Sequence, residues 1–298
     1  MEKINWAKYN KELINRGSLT LWFSLEDEKQ WYSEEEPKRK GRRFHYSWIA
    51  IELICLLRFR FGLTLRGVQG FAQSLLKMMD IDLEVPDYST LGRRMGKMNI
   101  SIIQSAKKSG RIHVAIDSTG LKVYGEGEWK VKIHGRGKHR TWRKLHLAVD
   151  TKNNKILSAV LTTNDFKDNQ VFEDTLEGIS DIKAVSADGA YDSKNCYAYA
   201  KDKKFKLVAP PRKNAKISRR GSEEARDKAI REIRSQGRRA WKKKNKYHRR
   251  SLSETAMSRM KVLMGDKLKS RKFESQASEA FVKVKILNKM KTPKDFFG

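Results

Sequence analysis

A chain of 298 residues, 39% hydrophobic and 9% aromatic, is long enough for two cores and too rich in aromatics for wholesale disorder. Its 65 Lys and Arg against 35 Asp and Glu leave a net charge of +30, which opposes compaction unless a polyanion, foremost nucleic acid, neutralises part of it. Two distant cysteines, Cys55 and Cys196, exclude a disulfide framework and a Cys-x-x-Cys zinc site. The most apolar run, Trp48 to Leu57, is too short for a membrane span, so a soluble cytosolic protein is expected.

Residues 1–36 are acidic, with five Lys or Arg and eight Asp or Glu, and the basic stretch 37–43 follows as a linker or arm. Ser47 is placed to cap a helix running to Gly62, and Thr64 to start a second over 64–79. After the loop DIDLEVPD, residues 88–98 form a short third helix with Arg93, Arg94 and Lys97 exposed. The last two resemble a helix-turn-helix DNA reader, although a plain three-helix bundle fits the same pattern and the connection 79–87 is long for the motif.

Near residue 111 the pattern changes from helical to alternating. Segments 111–124, 142–154 and 155–164 read as three successive strands, the last two joined at Asn153 and Asn154. A helix (171–179), a strand (183–192), a helix (193–204) and a strand (205–211) come next. A basic helical insertion occupies about 212–246, and the stretch 201–250 holds twenty-one Lys or Arg against five Asp or Glu. The chain ends in amphipathic helix. The expected division is a helical DNA-binding domain over 1–105 and an α/β domain over 106–298.

Two strands finish in a carboxylate after an apolar run, at Asp117 and at Asp188, where burial is costly unless the group is hydrogen-bonded or holds a metal. Either aspartate alone also suits a simple turn. In the late segment YHRRSLSETAMSRMK, helical geometry of about 100° per residue would put Tyr247, Arg250, Glu254 and Lys261 within an arc of about 60°. Ser251 and Glu254 equally match a capping box, in which case the helix starts there and Tyr247 and Arg250 lie ahead of it. Two strand-end aspartates and a helix-borne glutamate make an oxygen donor set suited to Mg²⁺.

In that order and context, Asp117, Asp188 and Glu254 resemble the acidic triad of the bacterial insertion-sequence DDE transposases. The Tyr247–Arg250–Glu254–Lys261 spacing matches their tyrosine–arginine–glutamate–lysine signature. The segments PDYSTLGRRM, EWKVKIHGRGKHRTWRKLHLAVD and ILNKM are similar to the insertion-sequence-five type. The resemblance implies a ribonuclease H-like mixed sheet with flanking helices. It also implies two Mg²⁺ or Mn²⁺ ions on the three acids, cleavage at transposon ends, and transfer of the freed 3′-hydroxyl into target DNA. Tyr247, Arg250 and Lys261 would then contact phosphates, alongside Arg93 and Arg94. Trp129, in the glycine-rich loop after the first strand, would stack on an unpaired base, while Trp142 equally suits packing under the sheet edge. Double-stranded DNA and a second copy of the chain are the expected partners, in a bacterial nucleoid, with no membrane and no nucleotide cofactor. A catalytically silent, domesticated DNA-binding repressor and a general ribonuclease H-type nuclease are the competing functions.

Overall fold

The computed structural model describes residues 6–18, 25–34, 45–98, 100, 102, 110–123, 142–218 and 224–290. They fall into two compact units, Met1–Ile100 with Lys269–Gly298, and Ser101–Leu268.

The first unit is helical: α1 (Trp6–Asn15), α2 (Leu25–Lys29), α3 (Trp48–Arg60), α4 (Leu65–Met78), α5 (Tyr88–Met95) and the C-terminal α10 (Phe273–Lys289). The caps are those the sequence dictates. Ser47 Oγ accepts from Ala50 N at 3.1 Å and Thr64 Oγ1 from Gly67 N at 3.1 Å, each satisfying an orphan amide of a first turn. Helix α3 is apolar nearly all round and, Glu52 apart, lies buried from Ala50 to Phe59, against α4, α5 and α10. The expectation that residues 106–298 form one unit differs from this arrangement at its C-terminal end. Val282, Val284, Ile286 and Leu287 of α10 are buried against the other helices of this unit, and Lys285 Nζ reaches the Glu52 carboxylate of α3 at 2.6 Å. The fully buried Glu279 accepts from Lys269 N, Ser270 N and Ser270 Oγ, and pairs with Lys283 at 3.2 Å, so its charge is compensated rather than stranded.

The second unit is a mixed sheet with helices. Its strands are β1 (Ile112–Val123), β2 (Trp142–Asp150), β3 (Ile156–Thr163), β4 (Ile182–Ser186), β5 (Lys206–Val208) and the two-residue β6 (Lys267–Leu268), in the order β3-β2-β1-β4-β5 with β6 beside the far half of β1. The first three form an antiparallel meander; β4 and β5 run parallel to β1. The mixed-sheet fold with flanking helices, of ribonuclease H-like order, is therefore as expected. Short helices α6 (Phe172–Leu176) and α7 (Lys194–Asp202) supply Phe172, Leu176, Cys196 and Tyr197 to a core with Ile112, Val114, Ile116 and Val185 of the sheet. Helix α8 (Glu224–Lys244) is the basic insertion, and α9 (Ser251–Met264) packs on β1 and β2. Two glycines are dictated by geometry. Gly237 (φ +81°) breaks α8 into two segments, and at Gly120 a Cβ would stand 3.2 Å from the Trp142 ring. The Trp142 ring thus lies over Gly120 of β1.

Candidate active site

Asp117 does not end its strand. β1 continues to Val123 because Ser118 and Thr119 pair in register with His146 and Leu145 of β2. Asp188 does lie past a strand end: it caps the 3₁₀ turn Gly189–Tyr191, its Oδ1 accepting from Ala190 N at 2.8 Å. The last parallel pair of β1 and β4 is Ala115 with Ser186, so two residues further along each chain bring Asp117 and Asp188 side by side.

The third acid arrives from the helix that follows the insertion. Residues Tyr247–Arg250 form a 3₁₀ turn and α9 starts at Ser251. The capping box does not form: Ser251 Oγ donates back to the His248 carbonyl at 2.9 Å, leaving Glu254 to Arg250. Arg250 Nη1 donates to Asp117 Oδ2 at 2.5 Å and Nη2 to Glu254 Oε1 at 2.5 Å, so one guanidinium bridges two of the acids. The Glu254 side is half exposed and contributes only a few tenths of a kcal/mol to the helix. Its weight is positional.

Burial, and then the neighbouring charges of Asp188 and Glu254, push the Asp117 carboxyl up to about 6 despite Ser118 N and Arg250 pulling the other way. The Asp188 and Glu254 carboxylates thus both lie within electrostatic reach of Asp117. Their chemistry, hard oxygen donors from a strand, a turn and a helix, fits Mg²⁺ or Mn²⁺. Among the described residues no group of three His, Cys, Asp or Glu side chains is arranged to hold a metal ion. The Arg250 guanidinium supplies the positive charge between Asp117 and Glu254.

Around them stands a shell that the sequence did not signal. Asp168, in a 3₁₀ turn (Asp168–Gln170) packed on Gly189–Tyr191, accepts from Ser118 Oγ at 3.0 Å and Lys144 Nζ at 3.3 Å. His146 Nδ1 is 3.9 Å from the same oxygen while Nε2 meets Thr162 Oγ1 at 3.0 Å; burial depresses this imidazole to about 4. Asp168 occurs in the polar stretch NDFKDNQ, where no periodicity or motif marks it. On the other side, Arg226 of α8 clamps the buried Asp192 through Nε (2.8 Å) and Nη2 (3.1 Å), anchoring the insertion just past the Asp188 turn.

The expected DNA contacts separate. Tyr247 is buried against Val208, Ala229 and Trp241, with Arg250 over its ring at 5.9 Å, and burial raises its hydroxyl. Lys261 is half-buried two turns beyond Glu254, about 10 Å along the axis, on the side of Asp266. Arg93 is exposed. Arg94, expected at the surface, is buried: Nη1 donates to the Tyr46 carbonyl and the guanidinium lies 4.1 Å over Trp48. Leu91, Arg94 and Met95 share the inward face of α5, which corrects that expectation. Trp129 and its loop lie outside the described residues.

A family model described as a transposase DDE domain matches residues 108–289, and a second of the same description matches residues 14–126. Among solved structures, the chain is similar to the piggyBac transposase synaptic complex with hairpin DNA (8% identity, TM-score 0.42, covering 93% of this chain and 73% of that one). It is also similar to the Drosophila P element transposase strand transfer complex (10%, TM-score 0.31, 85% and 81%). Likenesses that loose add nothing to the first family match, which alone spans more than half of the 298 residues: the chain belongs to the transposase DDE domain family.

Proposed function

We propose that this protein is a transposase of the insertion-sequence-five type that binds the terminal inverted repeats of its element, cuts there, and joins the freed ends to target DNA. One observation carries the reading. Arg250 ties Asp117 and Glu254 together, and Asp188 lies two residues past the end of the strand beside β1, which supports reading the three as the acids of one site. In the first reaction a water oxygen attacks the scissile phosphorus and the P–O3′ bond breaks, giving a 3′-hydroxyl and a 5′-phosphate. In the second, that 3′-oxygen attacks a target phosphorus and displaces the target's own 3′-oxygen. Bound at Asp117, Asp188 and Glu254, Mg²⁺ or Mn²⁺ ions would lower the pKa of the attacking water and stabilise the leaving oxygen. Asp117 and Asp188, on adjoining backbone segments, set the spacing of the oxygen donors. Arg250 holds Asp117 and Glu254 in register and supplies a positive charge beside the DNA phosphate. Two ends must be joined in one event, so the working form is a pair of chains on double-stranded DNA. All three acids are present, which favours this over a silent DNA-binding repressor.

The test is a nicking and joining assay on duplexes carrying the element's terminal repeats. Mg²⁺ or Mn²⁺ should support 3′-hydroxyl formation and strand joining by the wild type. Glu254→Gln should bind the same DNA and do neither; equal cleavage by this variant would sink the assignment.

A further inference from the structure

A cavity of about 430 Å³ opens directly beside the turn that presents Asp188. Gly189 and Ala190 of that turn form one wall, and Pro210 and Pro211, just after β5, form the next. The third is cationic: Arg212, Lys213 and Arg238. Its walls are tied down by three independent features. Arg238 follows the break at Gly237 and donates to the Pro211 carbonyl at 2.6 Å, so the interruption of α8 is what delivers this guanidinium. Two consecutive prolines restrict the backbone opposite. The Arg226–Asp192 pair fastens α8 to the residues following the Asp188 turn.

The cations differ from those nearby. Arg250 is engaged by two carboxylates, Arg226 by Asp192, Lys244 by Glu232 at 3.0 Å and Lys206 by Asn245 at 2.6 Å. Arg212 and Lys213 are exposed, and among the described residues their side chains have no hydrogen bond or ion pair. Two uncommitted cations and a fixed guanidinium thus ring a small, proline-walled hollow of the size that seats small ligands, roughly 300–1,000 Å³. Gly189 in its wall directly follows Asp188, so a bound group would lie close to that acid in the chain.

We propose that this cavity seats one nucleotide unit of the DNA strand next to the reacting phosphate. Its phosphate is held by Arg212, Lys213 and Arg238, and its sugar lies against Pro210, Pro211 and Ala190. This rests on the DNA-processing reading above and adds to it a specific subsite that neither the acids nor the Tyr–Arg–Glu–Lys signature contains.

The experiment uses the full chain and a fluorescein-labelled duplex of about 30 base pairs, followed by anisotropy in EDTA so that binding is read without cleavage. Each phosphate contact contributes about 0.9 to the slope of log affinity against log salt. Arg212→Gln with Lys213→Gln, which strips that phosphate of two of its three cations, should therefore flatten the slope by about 0.9 and shrink the affinity loss between 50 and 200 mM salt about threefold. Lys152→Gln, exposed at the β2–β3 turn, should leave the slope as in the wild type. Ala190→Leu, which puts bulk into the hollow from an exposed position, should weaken binding severalfold with the slope retained. A double variant with wild-type slope, or Ala190→Leu with wild-type affinity, overturns the subsite. Wild-type protein that shows no salt-sensitive binding at all overturns the DNA reading itself, a separate result.

Discussion

Replacing Asp117 by Asn should make the protein more stable while abolishing its chemistry. Asp117 lies mid-strand with a side chain only 14% exposed, and its carboxyl is raised from 3.8 to about 6 by burial and then by Asp188 and Glu254. A carboxyl whose folded value lies above its unfolded one contributes stability fully below 3.8 and loses it as pH rises through about 6. At pH 7.5 the ionised group therefore costs about 3 kcal/mol relative to a neutral side chain, Arg250 already counted. For a unit of this size that corresponds to roughly 5–10 °C in melting temperature. Thermal melts of wild type and Asp117→Asn in EDTA, at pH 7.5 and at pH 4, read the difference. The gain should be close to its full size at pH 7.5 and shrink to about 0.5 kcal/mol at pH 4, where the wild-type carboxyl is protonated in the fold. A variant no more stable than wild type at pH 7.5, or a gain that ignores pH, would refute the reasoning.

His146 works in the opposite direction. Buried and depressed to about 4, it is neutral in the fold, so stability is full above 6.5 and falls by up to about 3 kcal/mol as pH drops towards 4. His146→Gln in the Asp117→Asn background should flatten that acid limb in denaturant melts. Asp168→Ala removes the acceptor of Ser118 Oγ and Lys144 Nζ and should cost about 2 kcal/mol by urea unfolding. Arg226→Ala leaves the Asp192 carboxylate, 1% exposed, without its clamp; a loss of about 2–4 kcal/mol and faster proteolytic nicking within α8 are expected.

Much of this was legible. Ser47 and Thr64 announced their helices because a side-chain oxygen ahead of an apolar run has one obvious use, and the alternating segments after residue 111 became the strands in order. That Arg250 would bridge Asp117 and Glu254 was not read from the sequence, where the resemblance set it against DNA phosphates. What stayed hidden depends on tertiary partners. Asp117 was read as the end of an apolar strand, yet pairing of Ser118 and Thr119 with β2 carries β1 past it. Arg94 was read as a surface cation although its spacing from Leu91 marks an inward face, and Trp48 and the Tyr46 carbonyl make that tolerable. Asp168 is identified only by who donates to it. The capping box was a fair local reading of Ser251 and Glu254 that lost to Arg250, one turn earlier, because Asp117 fixes where that guanidinium sits. The place of α10 was invisible for the same reason, since only the α3 surface distinguishes it from another helix of the sheet domain.

The central claim is that Asp117, Asp188 and Glu254 together hold the divalent ions of a phosphoryl-transfer site, and a metal-preference switch at Asp188 tests it most directly. Asp188→Cys offers a soft thiolate that Mn²⁺ accepts far better than Mg²⁺. Cleavage of terminal-repeat DNA by this variant is predicted to vanish in Mg²⁺ and return in Mn²⁺, with wild type active in both. Cleavage by Asp188→Cys in Mg²⁺ at the wild-type rate would contradict the account.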